Sequence, residues 1–301
     1  MDRRRPLLVN IGEVAADAAL REAAERNDVR VFPKTRVADV LDIDRSGLSA
    51  EEYRYALRAH FDFVVAQPEG RSYFAVEFDE PYHDTDAAAI ARDRMKDSIA
   101  DRLGLPVIRV SADFLRTVGR FTLLGWLIDL WFLQRAYDEA QERGEIPFDD
   151  EFMYTSFYEW GADGKSVGRP AYDLSFEAKM AIRHARKRGL TAAIFPELLL
   201  ERDYSNDDYA KTYALLALTG GGFVIGQGRC RVLTRTSAPM PVAPFEVARS
   251  LAVVDVAAKL DEIERGNLLP STAEHLAALR ADTQGWIREG SLLSDLPSPY
   301  Q

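Results

Sequence analysis

The chain has 301 residues, 47% of them hydrophobic and 29% charged, with a formal net charge of -10. This is ordinary globular composition with ample material for a core, sized for one large domain or two smaller ones. The acidic balance argues against a surface coated in basic residues for tight, non-specific nucleic-acid binding, but leaves room for a local basic groove. The single cysteine, Cys230, cannot form an internal disulfide. A buried structural thiol in a reducing cytoplasm is therefore expected.

The opening MDRRRPLLVNIGEV carries basic residues, but its apolar stretch is short and broken by Asn10 and Glu13, so no signal peptide is expected. Residues 13–26 are Ala-rich and predict a helix. Residues 29–40 (VRVFPKTRVADV) predict a strand or extended segment interrupted by Pro33. Residues 49–58 predict a helix, capped by Ser49 with Glu52 closing a capping box. Strands are predicted at 61–66 (FDFVVA) and 73–79 (YFAVEFD), joined by a turn at Pro68, Glu69 and Gly70. Residues 84–103 predict a helix with Ala88, Ala91, Met95, Ile99 and Leu103 on its apolar stripe, stopped by Gly104. A short buried strand, PVIRV at 106–110, should join the same sheet.

The most apolar run, 121–133, is too short to span a bilayer and carries Asp129. It predicts a buried or partner-facing helix continuing to Arg143 and closed by Gly144; a protein partner or second copy could dock there or on the C-terminal domain, and no membrane is expected. The organisation expected is an α/β domain over 1–120, a connecting apolar helix over 121–144, and an α-rich α+β domain over 145–301. Within the last, FEAKMAIRHARKRG and DDYAKTYALLAL predict helices, TAAIFPELLL a strand or helix, and GGGFVIGQGRCRVL a Gly-flanked hairpin. Helices are predicted at 245–265 and 271–290, the second with a Ser-Thr-Ala-Glu capping box. GGGFVIGQG and ADGKS lack the spacing of phosphate-binding loops and are read as turns.

Strand alternation decides which side chains can meet. Asp62 faces away from Phe61, Phe63 and Val65; Glu77 and Asp79 face away from Phe74, Val76 and Phe78. If the two strands pair, Asp62, Glu77 and Asp79 converge on one side of the sheet, with His83 leaning over the same edge. Carboxylates held close either raise a pKa or bind a cation. An oxygen-rich site of this kind selects hard ions such as Mg²⁺ or Mn²⁺, which can activate water at a phosphodiester. Arg92 and Lys96 share a helix face, from which Lys96 could assist the water and Arg92 hold a phosphate. Lys34, Arg186 and Lys187 are the other candidate phosphate contacts. The run RHARKR at 183–188 reads equally as a solvated helix surface.

The stretch from HFDFVVA through GLPVIRV resembles the DUF2726 family and, more distantly, very-short-patch-repair-like and DUF559 endonucleases. The shared order is Asp62 in a strand, Glu77 and Asp79 in the next, His83, the run Arg92-Asp93-Arg94-Met95-Lys96, and Gly104 to Arg109; FPKTRVADVL resembles the family's opening strand. The resemblance implies a restriction-endonuclease-like PD-(D/E)XK core, a mixed sheet flanked by helices. It implies a nuclease favouring DNA over RNA, in restriction or phage defence, with Asp62 and Glu77 as metal ligands and Lys96 as a migrated catalytic lysine. Two departures stand out: Asp79 occupies the position of the class's lysine, and Glu80-Pro81 stands where relatives often have Gly. The alternative is an inactive nuclease fold kept as a scaffold or nucleic-acid-binding subunit of a larger complex.

Overall fold

A computed structural model describes residues 8, 10–78, 87–201, 209–231, 237 and 240–290. The chain forms two compact units, one of Met1–Phe152 with Val232–Pro241, the other of Met153–Arg231 with Val242–Gln301.

The first unit opens with α1 (Ile11–Asn27), whose N-terminus is capped by the Asn10 side chain accepting from the Gly12 N–H at 2.7 Å. Strand β1 (Arg30–Arg36) runs into the single turn α2 (Val37–Val40). Next comes α3 (Ala50–Ala56), where Ser49 and Glu52 form the expected reciprocal capping box. Strands β2 (His60–Ala66) and β3 (Ser72–Phe78), helix α4 (Ala87–Arg102) and strand β4 (Val107–Val110) complete the sheet. Its order is β1-β2-β3-β4. The first three strands are antiparallel; β4 lies parallel to β3 because α4 makes the crossover between them.

Ala75 and Glu77 of β3 face α4, whereas Phe74 faces the opposite layer. Beneath α3 and α4 lie Val37, Ile43, Ala56, Val64, Ala75, Ile99 and Val107. The buried side of α4 keeps Met95, Ile99 and Leu103 of the expected stripe but not Ala91, which is exposed; the Ala88 side chain lies outside the described residues. Ala89, Lys96 and Ala100 are also buried, so the face includes a lysine, held there by a partner on the sheet.

A short ribbon, β5 (Thr117–Val118) with β6 (Phe121–Thr122), leads into α5 (Leu123–Glu142). Every residue from Leu123 to Trp131 is buried. Trp131 packs on Phe74 at 4.6 Å between ring centroids, and Asp129 is held by Arg26 (2.8 Å) and Asn27 (2.7 Å) of α1. The helix expected to connect domains is thus part of the first unit's core. Among the described residues no helix is long and apolar enough to cross a membrane. The outer edge of β4 is closed by Ser237: its N–H donates to the Val107 carbonyl and its Oγ accepts from the Val107 N–H, both at 3.0 Å.

The second unit starts with the ribbon β7 (Tyr158–Trp160) and β8 (Ser166–Pro170) and the helix α6 (Phe176–Lys187). Strands β9 (Glu197–Leu200), β10 (Tyr209–Ala217) and β11 (Phe223–Arg231), helices α7 (Pro244–Glu264) and α8 (Ala273–Asp282), and strand β12 (Ile287–Glu289) follow. The sheet order is β11-β10-β9-β12. Three expectations fail here. The segment predicted helical from DDYAKTYALLAL is the strand β10, paired on both sides, so sheet context overrides its Ala and Leu content. Of GGGFVIGQGRCRVL, residues 223–231 form one strand and not a hairpin of their own; the triple glycine makes the turn, and Gly226 and Gly228 lie within β11. A Cβ at Gly228 would overlap the Ala248 carbonyl oxygen of α7, and one at Gly226 that of Ala252, so glycine lets helix and strand backbones touch. The helix predicted for 271–290 is capped by Thr272 rather than Ser271, ends at Asp282 and gives way to β12. Cys230 is buried and not in a disulfide, as expected.

Candidate functional site

Asp62 lies near the start of β2 and Glu77 near the end of β3, so their antiparallel pairing brings both to the same end of the sheet. The Asp62 Oδ2 accepts from the Phe78 N–H at 3.0 Å. Glu77 faces α4, where Lys96 donates to its Oε2 at 2.7 Å. The other oxygen, Oε1, is buried with no hydrogen-bond partner among the described residues. Glu77 is only 4% exposed and Lys96 8%.

Burial pushes the Glu77 carboxyl up to about 7; Lys96 opposes the shift and the nearby Asp62 adds to it. Burial also works against the Lys96 ammonium, but Glu77 outweighs it and holds the amine above the ordinary lysine value. A half-partnered carboxylate in a dry setting is costly unless a proton or cation completes it. Glu77 Oε1 and Asp62 are the hard oxygen donors here that could hold a divalent cation.

Lys34 sits across β1 from Asp62. Its ammonium bridges Asp62 Oδ1 and Glu13 Oε1 of α1, both at 2.7 Å. Lys34 adopts φ +49 in the middle of a strand, and the ladder skips it between the Pro33–Phe63 and Thr35–Phe61 pairs. For a residue with a Cβ this left-handed conformation costs about 1–2 kcal/mol. It persists because the two ion pairs and the flanking ladder fix it. The first turn of α1 reaches this end of the sheet because Gly12 packs on the Phe78 ring; a Cβ there would lie 2.6 Å from Phe78 Cε1.

Two further groups lie near these carboxylates. The Tyr55 hydroxyl of α3 has its pKa raised by burial and by Asp93 and Glu77, against Lys96 and Arg92. Arg109 of β4 is fully buried and paired to Asp97 of α4, so the α4 face of the sheet carries two ion pairs side by side.

Of the residues singled out from sequence, the structure brings together Asp62, Glu77, Lys96 and Lys34. Arg92 lies on the exposed side of α4. Arg186 and Lys187 are exposed on α6 of the second unit, where Arg186 donates to the Ala192 carbonyl at 3.0 Å. Asp79 and His83 lie outside the described residues. Sequence reasoning missed Glu13, Tyr55 and Arg109. An acidic residue in a first helical turn reads as a dipole complement, a tyrosine in AEEYRYA has no periodic signal, and Arg109 passes as a strand residue. In the second unit a cleft of about 540 Å³ holds Asp173, Lys179, Glu246, Arg249 and Glu289. Its charges are answered internally: Lys179 pairs with Asp173 and Arg249 with Glu289, each at 2.8 Å.

Residues 5–120 match the DUF2726 family, described as proteins of unknown function. The match spans α1 through β5, including Glu13, Lys34, Asp62, Glu77 and Lys96. No curated protein and no solved structure matches the chain.

Proposed function

We propose that this chain is a divalent-metal-dependent nuclease that hydrolyses nucleic-acid phosphodiester bonds, with DNA favoured over RNA. The observation that carries this reading is Glu77. It is buried on a strand, bonded through one oxygen to Lys96, without a partner at the other among the described residues, and set beside Asp62. The mixed sheet flanked by helices supports it, as the core layout implied by the resemblance to restriction-endonuclease-like enzymes. Mg²⁺ or Mn²⁺ held by Asp62 and Glu77 would activate water and offset negative charge developing on the phosphate. Lys96 fixes one Glu77 oxygen, leaving the other for the ion, and supplies buried positive charge beside it. Arg92, on the exposed side of α4, would be the residue to meet a phosphate. With a net charge of -10, binding to a polyanion would rest on such local cations.

One observation favours the second reading, a nuclease fold kept for scaffolding: each carboxylate already has a lysine, Lys34 on Asp62 and Lys96 on Glu77. The deciding experiment incubates purified full-length protein and a Glu77→Ala variant with supercoiled plasmid, single-stranded DNA and RNA in Mg²⁺ or Mn²⁺. The proposal expects cutting by the wild type and none by the variant. Equal cutting by both, or no cutting together with no Mn²⁺ bound in a calorimeter, would remove the enzyme reading.

A further inference from the structure

Resting on that metal-site reading, we infer that Lys34 is a built-in counter-cation of the pocket, which a divalent ion must displace from Asp62 in order to bind. Three observations carry it. The Lys34 ammonium bridges Asp62 and Glu13 at 2.7 Å each, so it holds two carboxylates together where an ion would otherwise be needed. Its backbone is held at φ +49, a conformation an extended strand does not require and one that aims the side chain at both acids. Unlike Lys96, whose side chain is 11% exposed, that of Lys34 is 31% exposed. It therefore has solvent to move into when its place is taken, whereas Lys96 has not. The two lysines thus divide the work: Lys96 is a fixed part of the wall, and Lys34 is the movable charge.

Displacement follows from Coulomb's law. An ammonium and a dication on the same carboxylate oxygen repel, and the dication is the stronger partner for Asp62. Released from Asp62, Lys34 loses one of its two anchors and turns outward to solvent. Removing the ammonium should therefore make the pocket a better cation site, the opposite of what a structural or phosphate-binding lysine would do.

The test is Mn²⁺ titration of the full chain by calorimetry, comparing wild type with Lys34→Asn and Lys34→Arg. Asparagine tolerates a positive φ, so it removes the charge without forcing the backbone to change. Lys34→Asn should bind Mn²⁺ about tenfold more tightly or better, and Lys34→Arg close to wild type. A second readout needs no variant: a brief pulse of an amine-acetylating reagent, read by mass spectrometry, with and without Mn²⁺. Bound Mn²⁺ should increase labelling of Lys34 several-fold and leave Lys96 protected. Equal or weaker Mn²⁺ affinity in Lys34→Asn, or unchanged Lys34 labelling while Mn²⁺ is bound, would overturn the displacement and leave the metal site standing. Absence of Mn²⁺ binding in wild type and in Lys34→Asn alike would overturn the metal site and the displacement together.

Discussion

The two four-stranded sheets each carry a helix across one face, and they make that contact in opposite ways. Beneath α7 the second sheet is smooth: Gly226 and Gly228 meet Ala248 and Ala252, and the backbones themselves touch. Beneath α4 the first sheet keeps charge inside, with Glu77 on Lys96 and Arg109 on Asp97. Apolar packing is the cheaper solution, and buried ion pairs often contribute no net stability. Charges retained where a glycine or alanine would serve are candidates for chemistry.

A similar contrast holds between two buried glutamates. Glu197 on β9 has both oxygens answered, Oε1 by Arg288 and Oε2 by Arg280. Among the described residues, Glu77 has one oxygen answered and one left over. A fully bonded carboxylate is a structural tie; a half-bonded one has capacity for a proton or an ion.

These contrasts can be broken by mutation. The largest effect is expected at the α4 interface, where Arg109→Met leaves Asp97 without its buried partner and should cost about 3–5 kcal/mol in urea unfolding. Adding Asp97→Leu should recover most of that loss; if the double variant is as unstable as the single, the pair is more than a replaceable charge couple. In the second sheet, Gly228→Ala drives a methyl group into the α7 backbone and should cost about 3 kcal/mol. A neutral result there would mean the helix is free to slide away.

The third prediction concerns pH. The folded Glu77 carboxyl titrates at about 7, above its ordinary value of 4.5, so the folded state binds the extra proton between these values. The stability contributed by the neutral form is complete below pH 4.5 and is lost as pH rises through 7. Glu77→Gln should remove this slope, and because it leaves the buried Lys96 ammonium without its carboxylate the variant should be less stable than wild type at pH 8. Parallel stability–pH curves for the two proteins would show that Glu77 is not strained. The smallest effect is the counterpart at Glu197. There Glu197→Gln weakens a satisfied tie and should lose about 1.5 kcal/mol at the same pH, with no gain.

Much of the first unit was legible because its signals are local. The apolar alternation of FDFVVA and YFAVEF, the Pro68-Glu69-Gly70 turn and the Ser49–Glu52 box each act within a few residues. That alternation also put Asp62 and Glu77 on one side. The rest of the pocket is assembled across elements. Glu13 comes from α1, Lys34 from a kinked β1 and Tyr55 from α3, and no spacing in the chain joins them. Lys96 was visible as a candidate but not as a buried residue, since a stripe drawn through alanines passes it by. In β10, alanine and leucine promised a helix, and only pairing with β9 and β11 made the segment a strand.

The closure of β4 by Ser237 also sets an order of events during synthesis. All four strands of the first sheet have left the ribosome once residue 110 is clear, yet the outer edge of β4 waits for a residue 130 positions after Val107. In that interval Val107 presents an open N–H and carbonyl, a template for pairing with another chain. Ribosome-bound nascent chains halted before residue 237 should therefore associate more readily than those halted after it. The carboxylate pocket would then reach its finished surroundings only when most of the second unit has already been made.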